Sequence, residues 1–205
     1  MATRGASSSA LSISFFSDTV STASLLIQTA AAQRNTAVSK MTLEDGASSS
    51  LIMQTAIGQG DTMVSPLHMA MVASAIANNG TLMEPYIIDH TQNESGTIVK
   101  QFDATSYGEL LSSSDAATLQ EYMRFVVTNG TGSVLNSDLY EAYGKTGTAE
   151  FSSNKNEDHS WFVGFAKNAE GKQIAVAVVM EGVESGGHYA VPATKKIFDA
   201  YFGAY

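Results

Sequence analysis

Residues 160–180 read SWFVGFAKNAEGKQIAVAVVM. Two runs of aromatic and β-branched residues flank Asn168–Gly171, which has the chemistry of a tight turn. Ser160 to Ala166 and Ile174 to Met180 are therefore predicted to be antiparallel strands. Tyr143 to Phe151 suits a third strand, which makes a three-stranded meander. VESGGHY then bends the chain, and Pro192 is expected to open a final helix. Its stripe of Ile197, Phe198, Tyr201 and Phe202 would cover the sheet. The fold class that follows is α+β: helical segments, then a three-stranded antiparallel sheet with a C-terminal covering helix.

The helical segments lie upstream. A short helix is expected over Ser49 to Ile57, ended by Gly58, followed by the loop GQGDTMVSP. Ser65 and Pro66 form a helix start, and Pro66 to Asn78 is apolar on nearly every side, as in a buried helix. His68 on it reads as a core or edge histidine with a satisfied ring rather than a base. Residues 86–102 look like two strands around an Asn-Glu-Ser-Gly turn. Leu119, Tyr122, Met123, Val126 and Val127 recur at helical spacing, predicting a helix over Asp115 to Thr128, capped by Ser113 or Ser114 and closed by Gly130. Residues 1–40 are poor in charge and hold nine serines; Thr22 to Ala32 has helical spacing within them. They read as a leader, with one domain over 41–205.

Charge and composition exclude several functions. The net charge of −9 argues against a nucleic acid partner, which needs a basic stripe, and against an anionic membrane surface. There are no cysteines, so disulfides and thiolate metal sites are out. The four histidines, His68, His90, His159 and His188, show no helical pair spacing, so no metal site is expected. No phosphate loop or dinucleotide fingerprint is present, and no cofactor is expected. No apolar run reaches the roughly 18 residues of a membrane helix.

The stretch YGKTGTAEF, residues 143–151, carries the chemistry. Lys145 supplies a cation on a strand. Gly147 leaves the backbone open to close approach by a ligand, and Thr146 and Thr148 offer hydroxyls beside that edge. Such an edge can take an extended peptide as an added strand, and a backbone N–H there can stabilise an oxyanion. The plain alternative is an exposed polar strand.

The order of segments decides between them. KTGTAEF, a polar loop, HSWFVGF, a turn, IAVAVVM, then a glycine pair and a helix, resembles the C-terminal part of a penicillin-binding protein transpeptidase domain. AIGQGDTMVSPLHMAMVASAIANNGTLMEPYII and VVTNGTGSV resemble the same family, so the likeness covers roughly residues 41 to 202. The Lys-Thr-Gly motif is shared with the serine β-lactamases, but the long GQG–SPLHMA segment favours the penicillin-binding proteins. The resemblance implies part of a serine β-lactamase/transpeptidase-like fold and a D,D-transpeptidase that cross-links peptidoglycan stem peptides, with β-lactams as mimics of the acyl donor. It implies that Lys145 sets the electrostatics and proton traffic of the site. Thr146 and Thr148 would hold the peptide or drug carboxylate, Gly147 would keep the strand edge clear, and the Thr148 backbone N–H would be half of the oxyanion hole. The outer face of the cell membrane is the implied location of the full-length parent.

The family's nucleophile motif, S-x-x-K, and its partner, S-x-N, do not fall where that fold needs them. The S-x-x-K of these 205 residues is Ser152-Ser153-Asn154-Lys155, and the S-x-N shares its first serine. One serine cannot be both nucleophile and the residue facing it, and this one lies in the polar loop after the motif. The expectation is therefore a partial transpeptidase domain, inactive alone. Rival readings are a non-catalytic module that binds cell-wall peptides or a partner, a remnant with no ligand, and an enzyme that uses Ser152. A sheet lacking its first strands would leave residues 174–180 as an unpaired apolar edge, which predicts a homodimer through it.

Overall fold

Six consecutive residues, Ile174 to Val179, are buried, as a strand covered on both faces requires. The computed structural model describes residues 11–16, 39–40, 43–86, 88–150, 158–183 and 187–203. At its centre is a four-stranded antiparallel sheet of β1 (Leu11–Phe16), β6 (Glu141–Ala149), β7 (His159–Lys167) and β8 (Gln173–Met180). The spatial order is β1-β8-β7-β6. The expected meander is there as β6, β7 and β8, with the turn at Asn168 closed by its side chain, which accepts the Lys172 N–H.

One expectation fails at the other side of the sheet. β8 is not an exposed edge: Leu11 to Phe16 pair with it from Met180 back to Ala175 in unbroken register. The backbone groups expected to recruit a second copy are occupied within the chain, and the homodimer through 174–180 loses its basis. Part of the stretch read as a leader thus belongs to the central sheet. The possible helix at Thr22 to Ala32 lies outside the described residues.

Two layers cover the sheet. Ile174, Val176 and Val178 of β8 and Phe162 and Ala166 of β7 face α4 (Gly187–Phe202), packing with Val191 and Phe198. The alternate residues, Ala175 of β8 and Phe165 of β7, meet Ala73 and Ile76 of α2 (Pro66–Ala77) on the opposite face. Leu119 and Met123 of α3 (Ser113–Asn129) join that second core. Two antiparallel pairs lie outside the main sheet: β2 (Thr81–Met83) with β5 (Ser106–Glu109), and β3 (His90–Gln92) with β4 (Ile98–Gln101). The strands expected across 86–102 shrink to the β3–β4 pair, whose turn is knotted by Asn93 Oδ1 accepting the Ser95 and Thr97 N–H groups.

The helix ends show how local chemistry sets boundaries. Ser65 caps α2, its hydroxyl accepting the His68 N–H at 3.2 Å; His68 itself is exposed, at the edge of the helix. α3 starts two residues earlier than expected, at Ser113. Its cap is Ser112, not Ser113 or Ser114, because Ser112 both accepts the Asp115 N–H and donates to the Asp115 carboxylate. α4 begins at Gly187, so Pro192 lies inside it rather than opening it. The buried Ser160 hydroxyl of β7 accepts the Ala190 N–H at 3.2 Å and holds that first turn on the sheet. The proline forfeits the bond its nitrogen would make to the His188 carbonyl. Before α2, α1 (Ser49–Ala56) lies over no buried residue of its own and leads into Gly58, Gln59 and Gly60.

Candidate functional site

β6 is an edge strand of the sheet, and its register with β7 runs without a bulge from Glu141–Lys167 to Ala149–His159. In an antiparallel ladder a residue's N–H and C=O point the same way, alternately toward the neighbour and away from it. The outward set on β6 is identified by its partners. Arg124 Nη1 of α3 donates to the Ala142 carbonyl at 3.0 Å. Lys145 Nζ donates to the Thr146 carbonyl at 2.6 Å, and Gln59 Nε2 donates to the Thr148 carbonyl at 3.1 Å. The even-numbered residues therefore turn their backbone groups to the free edge, and the Thr148 N–H points there with its carbonyl.

Side chains on β6 sort by the same alternation. Ala142, Gly144 and Thr146 lie on the α4 face, and Tyr143 and Lys145 on the other. Lys145 is exposed, and among the described residues no carboxylate pairs with it. Thr146 is buried, and its hydroxyl shares a 2.7 Å hydrogen bond with the hydroxyl of Thr131. Thr131 belongs to the NGTGSV loop, tied down by Gly132 N–H donating to the Val126 carbonyl at the end of α3. Gly147 and Thr148 are half-buried. A Cβ on Gly147 would meet only Trp161 Cβ, at an ordinary 3.4 Å, so the strand is unobstructed there.

The structure thus places Lys145, Thr146, Gly147 and Thr148 in one row on the sheet's edge. Three neighbours escaped the sequence: Gln59, Thr131 and Arg124. Gln59 had a local signal, standing between two glycines in a loop, but its contact with Thr148 spans 89 positions and leaves no pattern. Ser152, Asn154 and Lys155 lie outside the described residues. An open groove between α3 and Tyr143 includes Gln120, Arg124 and Phe125, but none of the Lys145–Thr148 row. Among the described residues no three His, Asp or Glu side chains gather around a metal-sized space, and no helix is long and apolar enough to cross a membrane.

Comparison with known proteins adds the family. The chain is 31% identical over 147 residues to the peptidoglycan D,D-transpeptidase MrdA of Acinetobacter baumannii. That match covers 65% of this chain and 22% of the relative. It is 31% identical over 120 residues to the peptidoglycan D,D-transpeptidase PbpA of Mycolicibacterium smegmatis, covering 57% of this chain and 24% of that protein. The chain therefore spans under a quarter of these relatives' length. Among solved structures, the D,D-transpeptidase domain of a peptidoglycan glycosyltransferase from Eggerthella lenta superposes with a TM-score of 0.59 at 35% identity, over 69% of this chain and 32% of that one. Penicillin-binding protein A from M. tuberculosis, as its imipenem acyl-enzyme complex, gives a TM-score of 0.63 at 28% identity, over 72% of this chain and 33% of that one. The model of the penicillin-binding protein transpeptidase domain matches residues 17–199, beginning within the stretch read as a leader. With strand order, edge position and this match in agreement, the chain belongs to the penicillin-binding protein transpeptidase domain family.

Proposed function

We propose that β6 is the Lys-Thr-Gly wall of a peptidoglycan D,D-transpeptidase site, and that these 205 residues bind the acyl donor without completing its transfer. The observation that carries this reading is the outward orientation of the Thr148 backbone on an unpaired strand edge. An extended stem peptide ending in D-Ala-D-Ala can lie along that edge as a further strand, with the Thr148 N–H and C=O as its ladder partners. Lys145, exposed and without an acidic partner among the described residues, supplies the positive field for the terminal carboxylate. The Thr148 hydroxyl lies next to that carboxylate, and Thr146 supports it through Thr131 rather than from an open position.

In the full reaction a serine oxygen attacks the penultimate D-Ala carbonyl. The developing oxyanion is held by backbone N–H groups, that of Thr148 among them. The terminal D-Ala leaves with the serine's proton, and an amine from a neighbouring strand resolves the ester. The serine with a lysine three residues on that this requires does not lie on the Lys-Thr-Gly wall, and a wall without it binds but does not acylate. β-Lactams enter on the same logic, as rigid mimics of the donor. The outer face of the cell membrane is where such a site meets its substrate.

Incubation with a fluorescent penicillin followed by intact mass tests the reading. The expected result is an unmodified chain whose Lys145–Thr148 amide resonances nevertheless move on addition of the peptide. A covalent adduct would overturn it in favour of an enzyme using Ser152.

A further inference from the structure

The Thr148 carbonyl, the acceptor that an added peptide strand needs, is already occupied. Gln59 Nε2 donates to it at 3.1 Å, and Gln59 is half-buried against the strand. A primary amide placed there reproduces the hydrogen bond that a peptide N–H would make. We propose that Gln59 is a built-in competitor: its side chain holds the substrate edge of β6 closed, and peptide binding requires it to leave. This rests on β6 being the peptide-binding wall.

Three features of the loop fit a part that moves. Gly58 and Gly60 flank Gln59 with φ of +80° and +70°, a conformation that side-chain-bearing residues rarely adopt, so the two glycines leave the backbone free to swing. Among the described residues a Cβ at Gly58 would meet nothing within 4 Å, so the loop has open space at that point. Thr55 and Thr62, on either side, have buried hydroxyl oxygens with no hydrogen-bond partner among the described residues. The closed arrangement therefore leaves polar groups unpaired that a different seating of the loop can satisfy. The outward carbonyls of Ala142 and Thr146 are capped differently. Arg124 is anchored on α3, and Lys145 reaches only its own neighbour, so Gln59 is the cap contributed by a glycine-flanked loop.

The consequence is thermodynamic. When the closed form dominates, apparent affinity falls by the fraction of molecules that are open. Removing the amide raises that fraction. The test uses the full 205-residue chain as wild type, Gln59→Leu, which keeps the bulk and loses the donor, and Gln59→Ala. Each is titrated with an N-acetylated peptide ending in D-alanyl-D-alanine, following the Thr148 backbone amide and, in wild type, the Gln59 side-chain amide by NMR. The expected result is that both wild-type signals move with one dissociation constant and that both variants bind about three- to tenfold more tightly. Movement of Thr148 in the variants alone also supports the competitor. Movement of Thr148 in wild type with Gln59 undisturbed, or variants that bind no better, overturns the competitor and leaves the wall intact. No movement of Thr148 in any of the three overturns both.

Discussion

In the first half of β6, Ala142 and Gly144 are sealed in the core; in the second, Lys145 is exposed and Gly147 to Ala149 are half-buried. Each half holds a glycine, for opposite reasons. A Cβ on Gly144 would lie 2.1 Å from Phe162 Cζ, because the ring rests across Gly144 and its register partner Gly164. A Cβ on Gly147 would meet, among the described residues, only Trp161 Cβ at an ordinary contact distance of 3.4 Å. One strand thus combines a packed anchor with an open margin, and the anchor fixes where the margin's backbone groups point. Lost stability and lost binding should therefore separate along its length.

The sharpest way to break this contrast is to remove what the anchor packs against. Phe162→Ala should lower the unfolding free energy by about 3–5 kcal/mol, read by urea denaturation, since the ring is fully buried and touches Phe198 edge-on. Next comes the glycine pair itself. Gly144→Ala should cost about 1–3 kcal/mol through overpacking. Gly147→Ala should stay within about 0.5 kcal/mol of wild type. Equal losses in the two variants would erase the distinction between the halves.

A smaller effect probes the entry to the strand. Tyr140 is buried, and its hydroxyl donates to Asp199 Oδ1 at 2.8 Å, an oxygen that Lys195 also grips at 2.8 Å. Tyr140→Phe should cost about 1 kcal/mol near neutral pH. Burial raises the Asp199 pKa, but hydrogen bonds from Lys195 and Tyr140 outweigh it and hold the carboxyl below its ordinary 3.8. A group depressed on folding contributes fully above its unfolded value and loses that contribution as pH falls through the folded one. The gap between wild type and Tyr140→Phe should therefore narrow below about pH 3.8. A gap that is constant with pH would show that the two groups do not share the proton balance. Tyr140's own ionisation is pushed well above its usual range, chiefly by burial, so it stays protonated throughout that experiment.

Much of the anchor was legible in the sequence. IAVAVVM reads as a strand from its β-branched residues, and Phe198 stands in a stripe at helical spacing. The motif's position on a strand was legible too, because its flanking runs alternate correctly. Partners distant in sequence were not. LSISF alternates apolar residues and serine over five positions, a pattern that a serine-rich leader also produces, and its pairing with β8 leaves no trace in either segment. Gly144 gave no sign of being the tighter of the two glycines, since the evidence for it is a ring eighteen residues away. Gln59 and Arg124 were hidden for the same reason: side chains that cap an edge strand obey no periodicity.

The seam between β1 and β8 also dictates an order of events. Phe16 pairs with Ala175 and Leu11 with Met180, so the 158 residues from 17 to 174 lie between the two sides of the seam. During synthesis the early segment emerges from the ribosome long before its mate exists. The hairpins of the meander close over short distances and are quick, whereas the seam has to wait and then pay the entropy of a very large ring. Until it forms, the newborn chain exposes the apolar outer edge of β8, a strand edge that can pair with another chain.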